Sequence, residues 1–138
     1  DVAGTGGGGG GTTAAESVSQ AGAASGGTDI SFQLENTGSS DVTLSSISVA
    51  VQNGPAKEVD NPGGKEVTGG DGAIDGSFNL GDPVSFSTDP TIEDGETETF
   101  TIGQFRKNND DPEDVSGRTV EVTINFADGS GETYTLSP

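Results

Sequence analysis

TDISFQLENTGSSDVTLSSISVAV, residues Thr28 to Val51, is the stretch that decides the fold. Ile30, Phe32 and Leu34 alternate with Ser31, Gln33 and Glu35. Period-two alternation puts one strand face on a core and the other in water. The polar run Asn36-Thr37-Gly38-Ser39-Ser40-Asp41 then turns the chain. A second strand, over residues 42–52, carries Val42 and Leu44 on one parity and Ile47, Val49 and Val51 on the other. A bulge near Ser45-Ser46 returns both sets to one face.

The same alternation recurs downstream. Phe100 and Ile102 mark a strand over residues 96–105, with Thr99 and Thr101 on its other face. Val120, Val122, Ile124 and Phe126 alternate with Thr119, Glu121, Thr123 and Asn125 across residues 118–127. Asp128-Gly129-Ser130-Gly131 turns this strand into residues 132–136, with Tyr134 and Leu136 inward. Between residues 53 and 95 the signal is weaker. Asn53-Gly54-Pro55, Asn61-Pro62-Gly63-Gly64 and Gly69-Gly70-Asp71-Gly72 are turn chemistry. The stretches around Val59 and Val67 read as short edge strands blunted by charge and proline. Phe78, Leu80, Val84 and Phe86 add further short pieces. The expectation is an all-β, antiparallel, Ig-like β-sandwich of about six to eight strands over residues 28–138.

Residues 1–27 lack that pattern. Gly6 to Gly11 is an unbroken glycine run, and Val2 and Val18 are the only large apolar residues. Thr13 followed by Glu16 is capping-box spacing. The segment reads as a Gly-rich flexible tail or linker, or as a tail carrying a short helix over residues 13–24. It is a poor donor strand, which would need alternating large apolar residues.

Twenty-three Asp and Glu stand against five Lys and Arg, a formal net charge of -18. Such self-repulsion disfavours a compact state. At molar salt the Debye length falls to about 3 Å and the repulsion is screened. The composition fits a halophilic protein; the alternative is an acidic disordered chain, against which the strand alternation over residues 28–137 argues. Without a basic patch, nucleic acid and anionic membrane surfaces are not expected partners. The chain has no cysteine and no histidine, which removes disulfides, thiolate chemistry and the commonest general base. No apolar run approaches the roughly 20 residues of a spanning helix, so direct membrane insertion is not expected. No secretory signal is visible, and the start at Asp1 reads as a processed or trimmed chain.

Asp110, Asp111, Glu113 and Asp114 form the densest set of hard oxygen ligands. Calcium takes six to eight oxygens, and it is the cofactor this loop would hold. EF-hand spacing is missing, Pro112 restricts convergence, and a solvated acidic loop is the alternative. Asp71 and Asp75 are a sparser set, while Asp128, Ser130 and Glu132 serve a hairpin turn. No catalytic site is expected. A serine nucleophile would need a lysine base, and neither Lys57 nor Lys65 lies in an apolar context. Carbohydrate chemistry is poorly served by one Tyr and no Trp. Arg106 and Lys107 are the only adjacent cations.

From Ile30 to Val49 the chain resembles the globular domains of secreted haloarchaeal surface proteins, type IV pilin-like and archaellin-like subunits. The shared pattern is a strand, the Asn36-Thr37-Gly38 turn and a second strand opening with Asp41-Val42-Thr43. The region from Gly117 to Leu136 is similar as well. The resemblance implies a β-sandwich exposed outside the cell, and filament formation. Such pilins enter the filament through a long hydrophobic N-terminal helix, which residues 1–27 do not supply, and no Asn-X-Ser/Thr sequon is present. The expected function is a non-enzymatic structural subunit that self-associates in an extracellular filament or cell-surface layer. The alternative is a membrane-tethered extracellular binding or adhesion module, archaellum stator-like or calcium-assisted.

Overall fold

The computed structural model describes residues 12–138. The described chain is an antiparallel β-sandwich, with one helical turn, α1 (Ala14–Ser17), at its start. Six strands of six or more residues carry it: β1 (Val18–Gly26), β2 (Ile30–Asn36), β3 (Val42–Val51), β10 (Thr97–Ile102), β12 (Val120–Phe126) and β13 (Gly131–Leu136). Seven pieces of two or three residues lie between them: β4 (Glu58–Val59), β5 (Val67–Gly69), β6 (Gly72–Ile74), β7 (Phe78–Asn79), β8 (Val84–Ser85), β9 (Thr91–Ile92) and β11 (Phe105–Arg106). The strand count exceeds the sequence expectation because two-residue ladders carry no readable period.

One sheet runs β1-β2-β10-β5-β6 and the other β13-β12-β3-β8; β9 pairs with the start of β3. A third, small sheet runs β11-β4-β7. The Val59 piece expected at an edge is therefore the central strand of three. Likewise β5 is flanked on both sides, by β10 and β6.

The alternating residues meet in one core. Ile30, Phe32 and Leu34 face inward, as do Leu44, Ile47, Val49, Val122, Ile124 and Leu136, each at 2% exposure or less. Phe32 and Phe100 stack at 5.8 Å between ring centroids. Burying side chains of this size contributes roughly 1.5–3 kcal/mol each. No large hydrophobic residue is exposed among those described.

The bulge in β3 lies where the parity slip requires it. Asn125 faces Ser46 and Phe126 faces Leu44, so Ser45 is the extra residue. Its hydroxyl donates to the Asn125 carbonyl at 2.9 Å. Val42 and Leu44 thereby share a face with Ile47 and Val49. The β12–β13 hairpin closes with Gly129 N–H donating to the Phe126 carbonyl and Phe126 N–H to the Ser130 carbonyl. Gly129 takes φ +90°, the left-handed position such a three-residue loop needs.

The N-terminal segment corrects the expectation of a helix over residues 13–24 or a free tether. The capping box is present: Glu16 N–H donates to Thr13 Oγ1 and Thr13 N–H to Glu16 Oε1. The helix nevertheless ends after one turn. An isolated short helix is marginal, whereas β2 offers an open edge. Residues 18–26 pair along it antiparallel, with an irregularity between Ala21 and Ser25 where Gly22 takes φ +67°. Tyr134 is buried, and its hydroxyl donates to the Val18 carbonyl at 2.9 Å, tying the second sheet to the first. Burial, then the Glu132 carboxylate, raises the Tyr134 pKa. The glycine run over residues 6–11 lies outside the described residues.

Candidate functional site

The acidic loop is built around Arg106. Its Nε donates to the Asp60 carbonyl at 2.8 Å, one terminal nitrogen to the Asp110 carbonyl at 2.7 Å, and the other to Gln104 Oε1 at 2.7 Å. A short 3-10 turn, Asn108–Asp110, carries the chain round, with Asp110 at φ +60°. Lys107 N–H then donates to the Asp111 carbonyl.

This geometry separates the four expected calcium ligands. Glu113 turns to Lys107 and Arg118, each 3.7 Å away. Asp114 accepts from Ser116 N–H at 2.9 Å and from its hydroxyl at 2.6 Å. Those hydrogen bonds hold the Asp114 carboxyl below the usual range. Asp111 is exposed and lends its carbonyl to Lys107. Only Asp110 enters a convergent set, and its companions are Glu58 and Asp60, with carboxylate oxygens within 4.8 Å of one another.

β4 pairs with β11, placing Glu58 opposite Arg106. A hydrogen bond with Asp110 raises the Glu58 pKa most, followed by desolvation and the Asp110 and Asp60 charges; Arg106 opposes the rise. Arg106, across the ladder from Glu58, offsets part of the repulsion among these carboxylates. A calcium ion fits in part. Three carboxylates could ligate it, but the Asp60 and Asp110 carbonyls already accept from Arg106. The remaining ligands of a six- to eight-oxygen shell would be water.

The other candidates are structural. Asp71, at φ +62°, sits with Gly70 at the tip of the β5–β6 hairpin, where both central residues of a two-residue turn need positive φ. Asp75 pairs with Lys65 at 3.3 Å. Asp128 accepts from Ser130 N–H and hydroxyl and from Ala14 N–H, docking α1 onto the hairpin. Burial opposes its ionisation, but the Ser130 and Ala14 hydrogen bonds prevail and its pKa is lowered. Glu66, 3% exposed, accepts from Asn61 N–H at 2.8 Å and Gly76 N–H at 2.7 Å, bracing two loops.

The outer faces of the two sheets have a distinct chemistry. Register places Ser25, Ser31, Thr101, Thr68 and Ala73 in one row, and Ala21, Gln33 and Thr99 in the next. On the opposite sheet, Thr133, Thr123 and Ser48 form a row beside Asn125, Ser46 and Ser85. Hydroxyls meet across strands, Ser31 with Thr101 at 3.1 Å and Thr123 with Thr133 at 2.9 Å. In a chain with 23 acids, the outward strand positions of the two sheets hold one each, Glu35 beside Thr97 and Glu121 beside Thr135. The other described acids lie in α1, in loops and turns, at strand positions of inward parity or in the small sheet. Among the described residues no helix is long and apolar enough to cross a membrane. In comparisons with known proteins, the chain matches no family model and no curated protein.

Proposed function

We propose that this chain is a non-enzymatic structural subunit of an extracellular haloarchaeal assembly, a pilus-like filament or a cell-surface layer. The observation that carries the reading is the segregation of charge. Both sheet faces are Ser, Thr, Ala, Asn and Gln with a single acid each, while the acidic excess is held in loops and rims. Such faces can approach a like face without stacking carboxylates, and strong salt screens what remains. The chain's resemblance to haloarchaeal surface subunits and its lack of histidine and cysteine support the same reading. Light scattering across a sodium chloride series tests it. Mass should grow with salt, and a charge placed on a face, Gln33→Glu with Thr99→Glu, should reduce that growth. Salt-independent monomers overturn the reading.

A second reading is a calcium-assisted extracellular adhesion module, favoured by the convergence of Glu58, Asp60 and Asp110. It predicts that calcium raises Tm at constant ionic strength and that Glu58→Gln removes the rise. An unchanged Tm removes this reading.

A further inference from the structure

The two larger sheets end on β1, β6, β8 and β13, and the small sheet ends on β7 and β11, of two residues each. Unpaired edges invite further strands, and proteins blunt them with bulges, proline, charge or brevity. β1 is interrupted at Gly22, and its Val18 carbonyl is taken by the Tyr134 hydroxyl. β6 has three residues; β8 has two, directly after Pro83. β13 has none of these protections. It runs six residues in unbroken register with β12, without proline or lysine and with one acid, Glu132.

The ladder shows which of its groups are free. The hairpin closes between Phe126 and Ser130, so Glu132, Tyr134 and Leu136 direct their main chain at β12. The other side of β12 agrees, since Ala127 N–H donates to the Thr43 carbonyl of the strand beyond. Gly131, Thr133 and Thr135 therefore turn their N–H and C=O groups away from the sheet. Among the described residues no hydrogen bond engages them. Thr133 and Thr135 are also exposed. α1 stands at the turn end, where Ala15 N–H meets the Ser130 hydroxyl.

We propose that β13 is a pairing edge for a second copy of this chain, joined antiparallel about a two-fold axis at Thr133. Strand addition of this kind draws its affinity from main-chain bonds. About Thr133, all three free residues find partners: Thr133 with Thr133 of the copy, and Gly131 with Thr135. Glu132 then lies across from Tyr134 of the copy. Moving the axis to residue 132 would set Glu132 against itself, a like-charge pair that destabilises a sheet. The only charge on the edge thus disfavours that register, and the axis at Thr133 is the one that leaves no free residue unpaired. The hydroxyl row Ser48–Thr123–Thr133 would continue unbroken into the second copy. Each copy carries net charge -18, so the pairing requires screening.

The inference rests on the assembly reading in needing self-association, but it names a different surface. Light scattering in multimolar sodium chloride should give wild-type protein at least twice the 13.7 kDa monomer mass. Thr133→Pro removes an N–H that faces away from β12, so the hairpin keeps its ladder and circular dichroism should be unchanged. Association should weaken about tenfold or more. As a second measure, Thr133→Cys, in a chain without cysteine, should cross-link with a short bifunctional thiol reagent. Ser48→Cys, two strands inward on the same face, should not. Association untouched by Thr133→Pro, with equal cross-linking at both positions, overturns the edge pairing and leaves assembly through the faces standing. Dimers that Thr133→Pro abolishes, without larger species, uphold the pairing and overturn the filament reading. A monomer at every salt concentration overturns both.

Discussion

Asn36 is fully buried, and both ends of its amide are engaged. Nδ2 donates to the Ser40 carbonyl at 2.8 Å and the Ile92 carbonyl at 3.0 Å, while Oδ1 accepts from Gly38 N–H at 3.0 Å. One side chain thus shapes the Asn-Thr-Gly turn and fastens it to β9. Asn36→Asp would aim a buried carboxylate at two carbonyls, and urea unfolding should show a loss of about 3 kcal/mol or more. Two carboxyls should leave opposite marks on the pH profile. Glu58 has a raised folded pKa. Its contribution is full below the ordinary Glu value of about 4.3 and is lost as pH rises through the folded value. Glu58→Gln should therefore raise Tm at pH 7 and change it little at pH 4. Asp128 is the reverse case, lowered by its Ser130 and Ala14 bonds against the opposing effect of burial. Its contribution is present above the ordinary Asp value of about 3.9 and is lost as pH falls through the folded value. Asp128→Asn should lower Tm at pH 7 and flatten the acid limb of the Tm–pH curve.

Among the elements, β1 converts an open edge of β2 into an interior pairing. It contributes few large side chains: Val18 is buried and Ala24 packs against the core. Its effect is to cover main chain, and removal of all residues before Thr28 should lower Tm and make the protein aggregate at low micromolar concentration in the same salt. That strand was illegible in the sequence because an edge strand of Ser, Ala and Gly buries too little to show a period. β2, β3, β12 and β13 were legible for the opposite reason: each buries alternate large residues against one core. The two-fold parity of β3 even located its bulge at Ser45. The acidic site was half legible. Asp110 stands out in a run of acids, but Glu58 and Asp60 join it only through the pairing of two two-residue strands some fifty residues apart. Local spacing carries no trace of that pairing. The one hint was a glutamate beside Val59 in a short apolar-charged piece, and Arg106 as the cation able to face it.

At the scale of the whole molecule, the described cations are mostly committed. Lys65 pairs with Asp75, Lys107 and Arg118 share Glu113, and Arg106 is held by carbonyls. Exposed pairs of this kind contribute about 0–1 kcal/mol each and cannot offset a net charge of -18. On the proposed reading, solvent ions supply the screening that the fold needs. Tm should climb steeply from low salt to about 1 M sodium chloride, where screening has shortened to about 3 Å. The same ions would let the sparsely charged sheet faces and the β13 edge meet copies of themselves. Electron microscopy of the protein in multimolar sodium chloride tests this account most directly. It predicts ordered filaments or layers of sandwich-sized subunits that dissolve when the salt is dialysed away. Isolated particles at every salt concentration, with the fold intact by circular dichroism, would contradict it.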